Sequence, residues 1–316
     1  MDELMSRQKK EHILKNTDLF VLDMDGTFYL GDTVLDGAPD FLSAAKRAGK
    51  RYIFFTNNSS VSSDNYIEKL AKMNCHITRD MIMTSGDVMI RYLKSMYPQK
   101  TVYLLGTPEL TESFERAGID LFVSDRDIEM AKKSAFCEKV PDIVVVAFDK
   151  TIDYTKLSNA CVYIMKGAEF LATHLDINCP VPGGFIPDCG AMCAFIERST
   201  GVKPTFVGKP FKETVDMVVD ATKADRSRIA FVGDRIYTDV ATGVKNGAMG
   251  ILVLTGECRI SDVPASEVKP DVIFDSVKEM GEILSAMTEF ADKSRLSKLK
   301  ILLRIMDRGK SNDSIC

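Results

Sequence analysis

The stretch Asp18-Leu-Phe-Val-Leu-Asp23-Met-Asp25-Gly26-Thr27 constrains this chain most. Its apolar, β-branched run is too short for a helix and is bounded by polar residues, so it reads as a strand buried on both faces of a parallel sheet. Such a strand does not tolerate charges in its interior. Asp23 and Asp25 therefore belong where it leaves the core, at the carboxyl edge where open α/β sheets bind ligands. Gly26 frees the backbone to turn there. Neighbouring like charges require a cation, and an all-oxygen site favours Mg2+, which takes one or two protein carboxylates plus water and phosphate oxygens. A strand ending in a plain Asp-Gly turn is the simpler alternative. The partners downstream decide between the two.

Residues 28–35 read as a loop and 37–48 as a helix, with Pro39 in its first turn and Gly49 just past its end. The next strand, 51–56, again ends in polar groups: Thr56, Asn57, Asn58, Ser59 and Ser60. Their hydroxyls and amides suit phosphate oxygens, although Ser and Asn also favour helix caps, here before a helix at 66–73. After a helix near 87–96, residues 101–105 and 142–148 read as strands, 108–117 and 154–160 as helices, and 179–187 as a Pro/Gly-rich loop. A helix over 189–199, closed by Gly201, ends this segment. It alternates strands and helices and could bury its own core, so residues 95–205 are expected to form an inserted α/β domain. The core is then discontinuous, 1–94 and 206–291. In its second part Lys209 follows Gly208, and the strand 228–233 ends on Asp234, Arg235 and, a turn later, Asp239. Strands at 249–254 and 272–274 and a helix over 277–287 complete an α/β alternation that implies a doubly wound, mostly parallel sheet. In the tail, 292–316, Leu296, Leu299, Leu302, Leu303 and Met306 fall on one helical face amid basic residues.

Composition bears on several classes of function. A net charge of −4 argues weakly against a surface built for a nucleic acid polymer, whose footprint is a strongly basic face. The opening residues have no apolar core of signal-peptide length, and no segment approaches a transmembrane span. The 8 cysteines are scattered without Cys-x-x-Cys spacing, and Cys189 and Cys193 share a helical face with no histidine near them in sequence. A reducing, cytoplasmic setting is the expectation.

Four strand ends thus carry Asp23/Asp25, Thr56/Asn57, Lys209 and Asp234/Asp239. Together they resemble the haloacid dehalogenase-like phosphohydrolases: Asp-x-Asp-Gly-Thr at 23–27, Thr56-Asn57-Asn58, Gly208-Lys209-Pro210, and Gly233-Asp234-Arg235 with Asp239. The chain looks most similar to subgroup IIA, the NagD, p-nitrophenyl phosphatase and pyridoxal phosphate phosphatase-like proteins. Its Cys179 stands near where the pyridoxal phosphatases carry a histidine.

The resemblance implies a Rossmann-like core with a C2-type cap closing over the site and a Mg2+-dependent phosphatase acting on small phosphorylated metabolites. Asp23 would be the nucleophile and form an aspartyl phosphate. Asp25 would protonate the leaving alkoxide and later accept a proton from water. Lys209 would offset charge; Thr56, Asn57, Asn58 and Lys209 would bind the phosphoryl group. The Asp23 carboxylate, the Asp25 backbone carbonyl and Asp234 would hold Mg2+, with Asp239 behind them orienting Lys209 or a water. Specificity would lie in the loop 174–186, and a homodimer through the cap is one possible assembly. A phosphotransferase or phosphomutase using the same intermediate, or a non-catalytic phosphate-binding regulatory module, are the alternatives.

Overall fold

The structure, a computed structural model, describes residues 2–122, 139–181 and 183–293. Six strands form one sheet in the order Val272–Phe274, Met249–Val253, Ile229–Gly233, Leu19–Leu22, Arg51–Thr56, Ile82–Thr84, and every neighbouring pair is parallel. Leu19–Leu22 sits near the middle with all four side chains buried. Alternation sends Phe20 and Leu22 into one apolar cluster and Leu19 and Val21 into another, so the strand is covered on both faces. The Phe20 ring meets Phe41 of the helix Ala38–Arg47 edge to face, 5.2 Å between centroids.

A second parallel sheet runs Thr205–Phe206, Glu169–Ala172, Ile143–Val146, Thr101–Leu105, Asp120–Leu121. Its residues Val102, Leu104, Ile143, Val145 and Leu171 share an apolar cluster with Leu19, Val21, Ile53 and Phe55 of the first sheet. The other face carries Tyr103, Val144, Phe170 and the helices Tyr154–Met165 and Cys189–Thr200.

Several local expectations are corrected. Residues 28–35 contain a hairpin, Tyr29–Leu30 with Thr33–Val34, and where a loop was expected at 179–187 the strands Asn178–Val181 and Gly184–Pro187 pair antiparallel. Hairpins of two to four residues a strand are too short to show an alternating pattern. Ile82–Thr84 is an edge strand of three residues, missed for the same reason. The division at 205/206 cuts a strand, because Thr205 pairs with Leu171 and Phe206 with Ala172. Backbone bonds from Val207 and Gly208 to Ala172 and Thr173 continue that pairing, so the chain stays with the second sheet through Gly208. At the other end the helix Ser85–Met96 passes unbroken through 94/95. The chain opens with a helix, Asp2–Asn16, docked by buried Leu14 and by Lys10, 2.5 Å from Glu279. A helix over 277–293 reaches the last described residue; the basic amphipathic segment expected beyond it lies outside the described residues. Among the described residues no helix is long and apolar enough to cross a membrane.

Candidate active site

The carboxyl ends of the strands Leu19–Leu22, Arg51–Thr56 and Ile229–Gly233 converge with the segment after Thr205–Phe206 on one polar cavity of about 130 Å3. Asp23 is the first residue past its strand, its amide still bonded to Val232 O at 2.8 Å. Lys209 enters from the second sheet, 3% exposed, with Nζ 2.6 Å from Asp23 Oδ1 and 2.5 Å from Asp239 Oδ1. Burial favours the neutral amine, but the two carboxylates outweigh it and raise the Lys209 pKa. Burial likewise raises Asp23, against the pull of Lys209.

Asp23, Asp234 and Asp239 offer carboxylate oxygens that all lie within 4.8 Å of one another. Asp234 Oδ2 accepts from the Glu257 amide at 2.6 Å, while buried Oδ1 has no hydrogen-bond partner. Burial, then Asp239, pushes the Asp234 pKa up to about 6. Two glycines allow this crowding. A Cβ at Gly256 would stand 2.0 Å from Asp234 Oδ2, and one at Gly26, where φ is +83°, would stand 2.7 Å from it. Three carboxylates against one lysine leave surplus negative charge, and the ligand set is all oxygen. The cluster could therefore hold a metal ion of the Mg2+ type. The carboxylate of Asp25 is outside this cluster; it is exposed on the cavity wall, and burial of its inner part raises its pKa.

The second strand end supplies a scaffold more than a row of free donors. Asn57 is 5% exposed; its Oδ1 accepts from the Lys209 amide at 2.9 Å, and its Nδ2 donates to Lys209 O at 3.1 Å and toward Asp176. Both amide hydrogens thus point at protein acceptors. Asn58 Oδ1 accepts from Ser60 N and Oγ, and the Asn58 amide donates to Thr56 Oγ1, so these side chains shape the loop. Of the three, Thr56, the Nδ2 of Asn58 and the loop backbone are left to face a ligand. Cavity residues that the sequence did not single out include Tyr29, Thr238 and, on the helix Ser63–Lys72, Tyr66 and Lys69; the turn at 255–257, which holds Gly26 and Asp234, was not singled out either. The turn follows the strand Met249–Val253, and the strand-end rule that found Asp23 would have found it: Thr255 Oγ1 donates to Gly26 O at 2.6 Å.

Comparison with known proteins agrees with this arrangement. A haloacid dehalogenase-like hydrolase profile matches residues 20–120 and a HAD-hydrolase-like profile matches 206–280. An acid sugar phosphatase of Staphylococcus haemolyticus is 30% identical over 280 residues, covering 89% of this chain and 100% of that protein. The crystal structure of a 4-nitrophenylphosphatase from Thermotoga maritima superposes with a TM-score of 0.77 at 42% identity, over 86% of this chain and 98% of that one. NagD from E. coli K-12 gives 0.73 at 26%, over 83% and 98%. The chain belongs to the haloacid dehalogenase-like hydrolases, in the branch of the NagD-type and p-nitrophenyl phosphatases. It is an enzyme of the phosphoric monoester hydrolase class.

Proposed function

We propose that this enzyme is a Mg2+-dependent phosphatase that hydrolyses small phosphate monoesters through an aspartyl phosphate on Asp23. The observation that carries the reading is the buried Lys209 ammonium, 2.6 Å from Asp23 at the sheet edge, with Asp234 and Asp239 beside it. A phosphate dianion approaches a carboxylate only where such preorganised charge offsets the repulsion. The cavity of about 130 Å3 is below the range of pockets that take drug-sized ligands, which supports a small alcohol portion. Relatives acting on sugar phosphates and nitrophenyl phosphate support the same substrate class. The unpaired cysteines 75, 161, 179, 189, 193 and 258 support a reducing, cytoplasmic setting.

The carboxylates of Asp23 and Asp234 and the Asp25 carbonyl would hold Mg2+, and Asp239 would hold Lys209. When bound, the ion would supply charge neutralisation for the phosphoryl oxygens. An Asp23 oxygen attacks phosphorus in line with the leaving oxygen, and the bond to that oxygen breaks as Asp25 gives it a proton. The raised pKa of Asp25 favours the acid form needed for that transfer. The Asp25 carboxylate then takes a proton from water as the water oxygen attacks phosphorus, which frees Asp23 and phosphate. Thr56 donates to a phosphoryl oxygen, while Asn57 keeps Lys209 in register. The test is phosphate release from sugar phosphates, nucleotides, glycerol phosphates and 4-nitrophenyl phosphate. Turnover is expected with Mg2+ and none with Asp23→Asn; full activity in excess chelator overturns the metal assignment.

A further inference from the structure

A buried charge cluster at the edge of the cavity has no part in this chemistry. His174 follows the strand Glu169–Ala172, is fully buried, and turns one ring nitrogen toward each of two carboxylates. Nδ1 lies 3.6 Å from Asp176 Oδ2, and Nε2 lies 3.5 Å from Asp188 Oδ1. Neither nitrogen has a direct hydrogen-bond partner, and both aspartates are 4% exposed. A neutral imidazole carries one N–H and one lone pair, whereas an ionised carboxylate only accepts. A neutral ring would therefore aim a lone pair at one carboxylate. A protonated ring aims no lone pair at either carboxylate and offsets one of two buried negative charges. One ring nitrogen and one oxygen of each carboxylate all lie within 4.8 Å of one another, so both acids crowd the same part of the ring.

The consequence lies in what the two carboxylates hold. Asp188 caps the helix Cys189–Thr200, accepting from the Cys189 amide at 2.6 Å. Asp176 accepts from Asn57 Nδ2 at 3.3 and 3.4 Å and faces an Arg235 guanidinium nitrogen at 3.5 Å. Asn57 in turn bonds both the amide and the carbonyl of Lys209. We infer that His174 is a positioning residue: as an imidazolium it ties Asp188 to Asp176 and, through Asp176, fixes Asn57 and the Lys209 backbone at the phosphate pocket. The inference rests on the reading of that pocket as a phosphate site.

The groups facing the ring are Asp176, Asp188 and Cys189, whose own pKa, raised by burial, is drawn down to about 7 by Cys193 and His174; Arg235 and Lys209 lie beyond Asp176. Burial favours the neutral ring, but Cys189, Asp176 and Asp188 outweigh it and push the pKa up to about 9. Burial raises Asp176, yet His174 and Arg235 bring it below its ordinary value, so it is anionic at neutral pH. The clamp is intact at pH 7 and opens as pH rises through about 9. Because the free imidazole titrates near 6.5, its stabilising effect is complete below about that pH and gone above about 9.

Calorimetric titration of inorganic phosphate into the full chain with Mg2+, at pH 8 and pH 10, tests this. Phosphate is a dianion at both values. Wild-type affinity is expected to fall severalfold between them, and an NMR titration of the His174 ring should show a midpoint near 9. His174→Gln should bind phosphate roughly tenfold more weakly at pH 8, as expected when one charge-assisted contact is lost, with no further fall at pH 10. Asp188→Asn keeps the helix cap and should lower the ring's midpoint in a folded protein. Wild-type affinity in His174→Gln, an alkaline fall that survives in it, or an unmoved midpoint in Asp188→Asn overturns the inference. Phosphate binding by a wild-type protein that turns over no ester would instead refute the phosphatase reading and leave these outcomes readable.

Discussion

Removing the Lys209 ammonium tests stability and chemistry at once. In Lys209→Ala, Asp23 and Asp239 lose a cation 2.6 and 2.5 Å away in a pocket where Lys209 itself is 3% exposed. Deleting one partner of a buried pair costs about 3–5 kcal/mol, a large share of the roughly 5–15 kcal/mol that holds a domain together. The cost should depend on pH. Asp23 already has its pKa raised by burial with Lys209 present, and without the lysine it rises further. A carboxylate whose folded pKa is raised adds stability below its unfolded value, near 3.9, and loses it as pH rises through the folded value. The variant should therefore be most destabilised at pH 8 and recover toward pH 5. Chemistry loses a preorganised donor, about 100- to 1000-fold in kcat, or roughly 3–4 kcal/mol. Urea denaturation at the two pH values and initial rates on 4-nitrophenyl phosphate give both numbers. A rate within tenfold of wild type, with stability at pH 8 unchanged, would refute Lys209 as the counter-ion of Asp23.

Other perturbations address the metal cradle and the chain's end. Gly256→Ala places a methyl 2.0 Å from Asp234 Oδ2; it should push that carboxylate aside and weaken Mg2+ at least about tenfold, at a stability cost of about 1–3 kcal/mol, and an unchanged Mg2+ titration contradicts the cradle. With the metal-free pKa of Asp234 near 6, Mg2+ affinity should fall about tenfold per pH unit below that value, because the ion binds the carboxylate and not the acid; a flat profile from pH 4 to 7 removes Asp234 from the ligand set. Ca2+ accepts more oxygens than Mg2+ and should inhibit by drawing both Asp23 oxygens to itself, so turnover in Ca2+ equal to that in Mg2+ counts against Asp23 as the nucleophile. Truncation after Ala291 should leave the rate on a small substrate nearly unchanged, and a folded but inactive product would show that the tail reaches the pocket.

The long buried strands and their polar ends were legible because the physics is local. A run such as Leu19–Leu22, covered on both faces, cannot end in two carboxylates except at a sheet edge, and the same logic located Thr56, Lys209 and Asp234. What escaped depends on contacts between distant segments. Asn57 reads as a phosphate donor until Lys209, far along the chain, is seen to engage both ends of its amide. His174 and Asp176 lie in a segment recognisable as a specificity loop, but nothing in their spacing brings Asp188 within 3.5 Å of the ring. Phe206 reads as the start of the core because the ladder pairing it with Ala172 has no signature in a two-residue strand.

The central claim is the covalent intermediate on Asp23, and trapping it tests the claim most directly. Rapid quenching of the Mg2+-loaded enzyme during turnover of 4-nitrophenyl phosphate, followed by borohydride reduction, converts an aspartyl phosphate to homoserine. Mass spectrometry of the peptide spanning 19–30 should then show homoserine at position 23, aspartate at position 25, and neither changed without substrate. Turnover that leaves position 23 as aspartate in every quenched sample would contradict the mechanism.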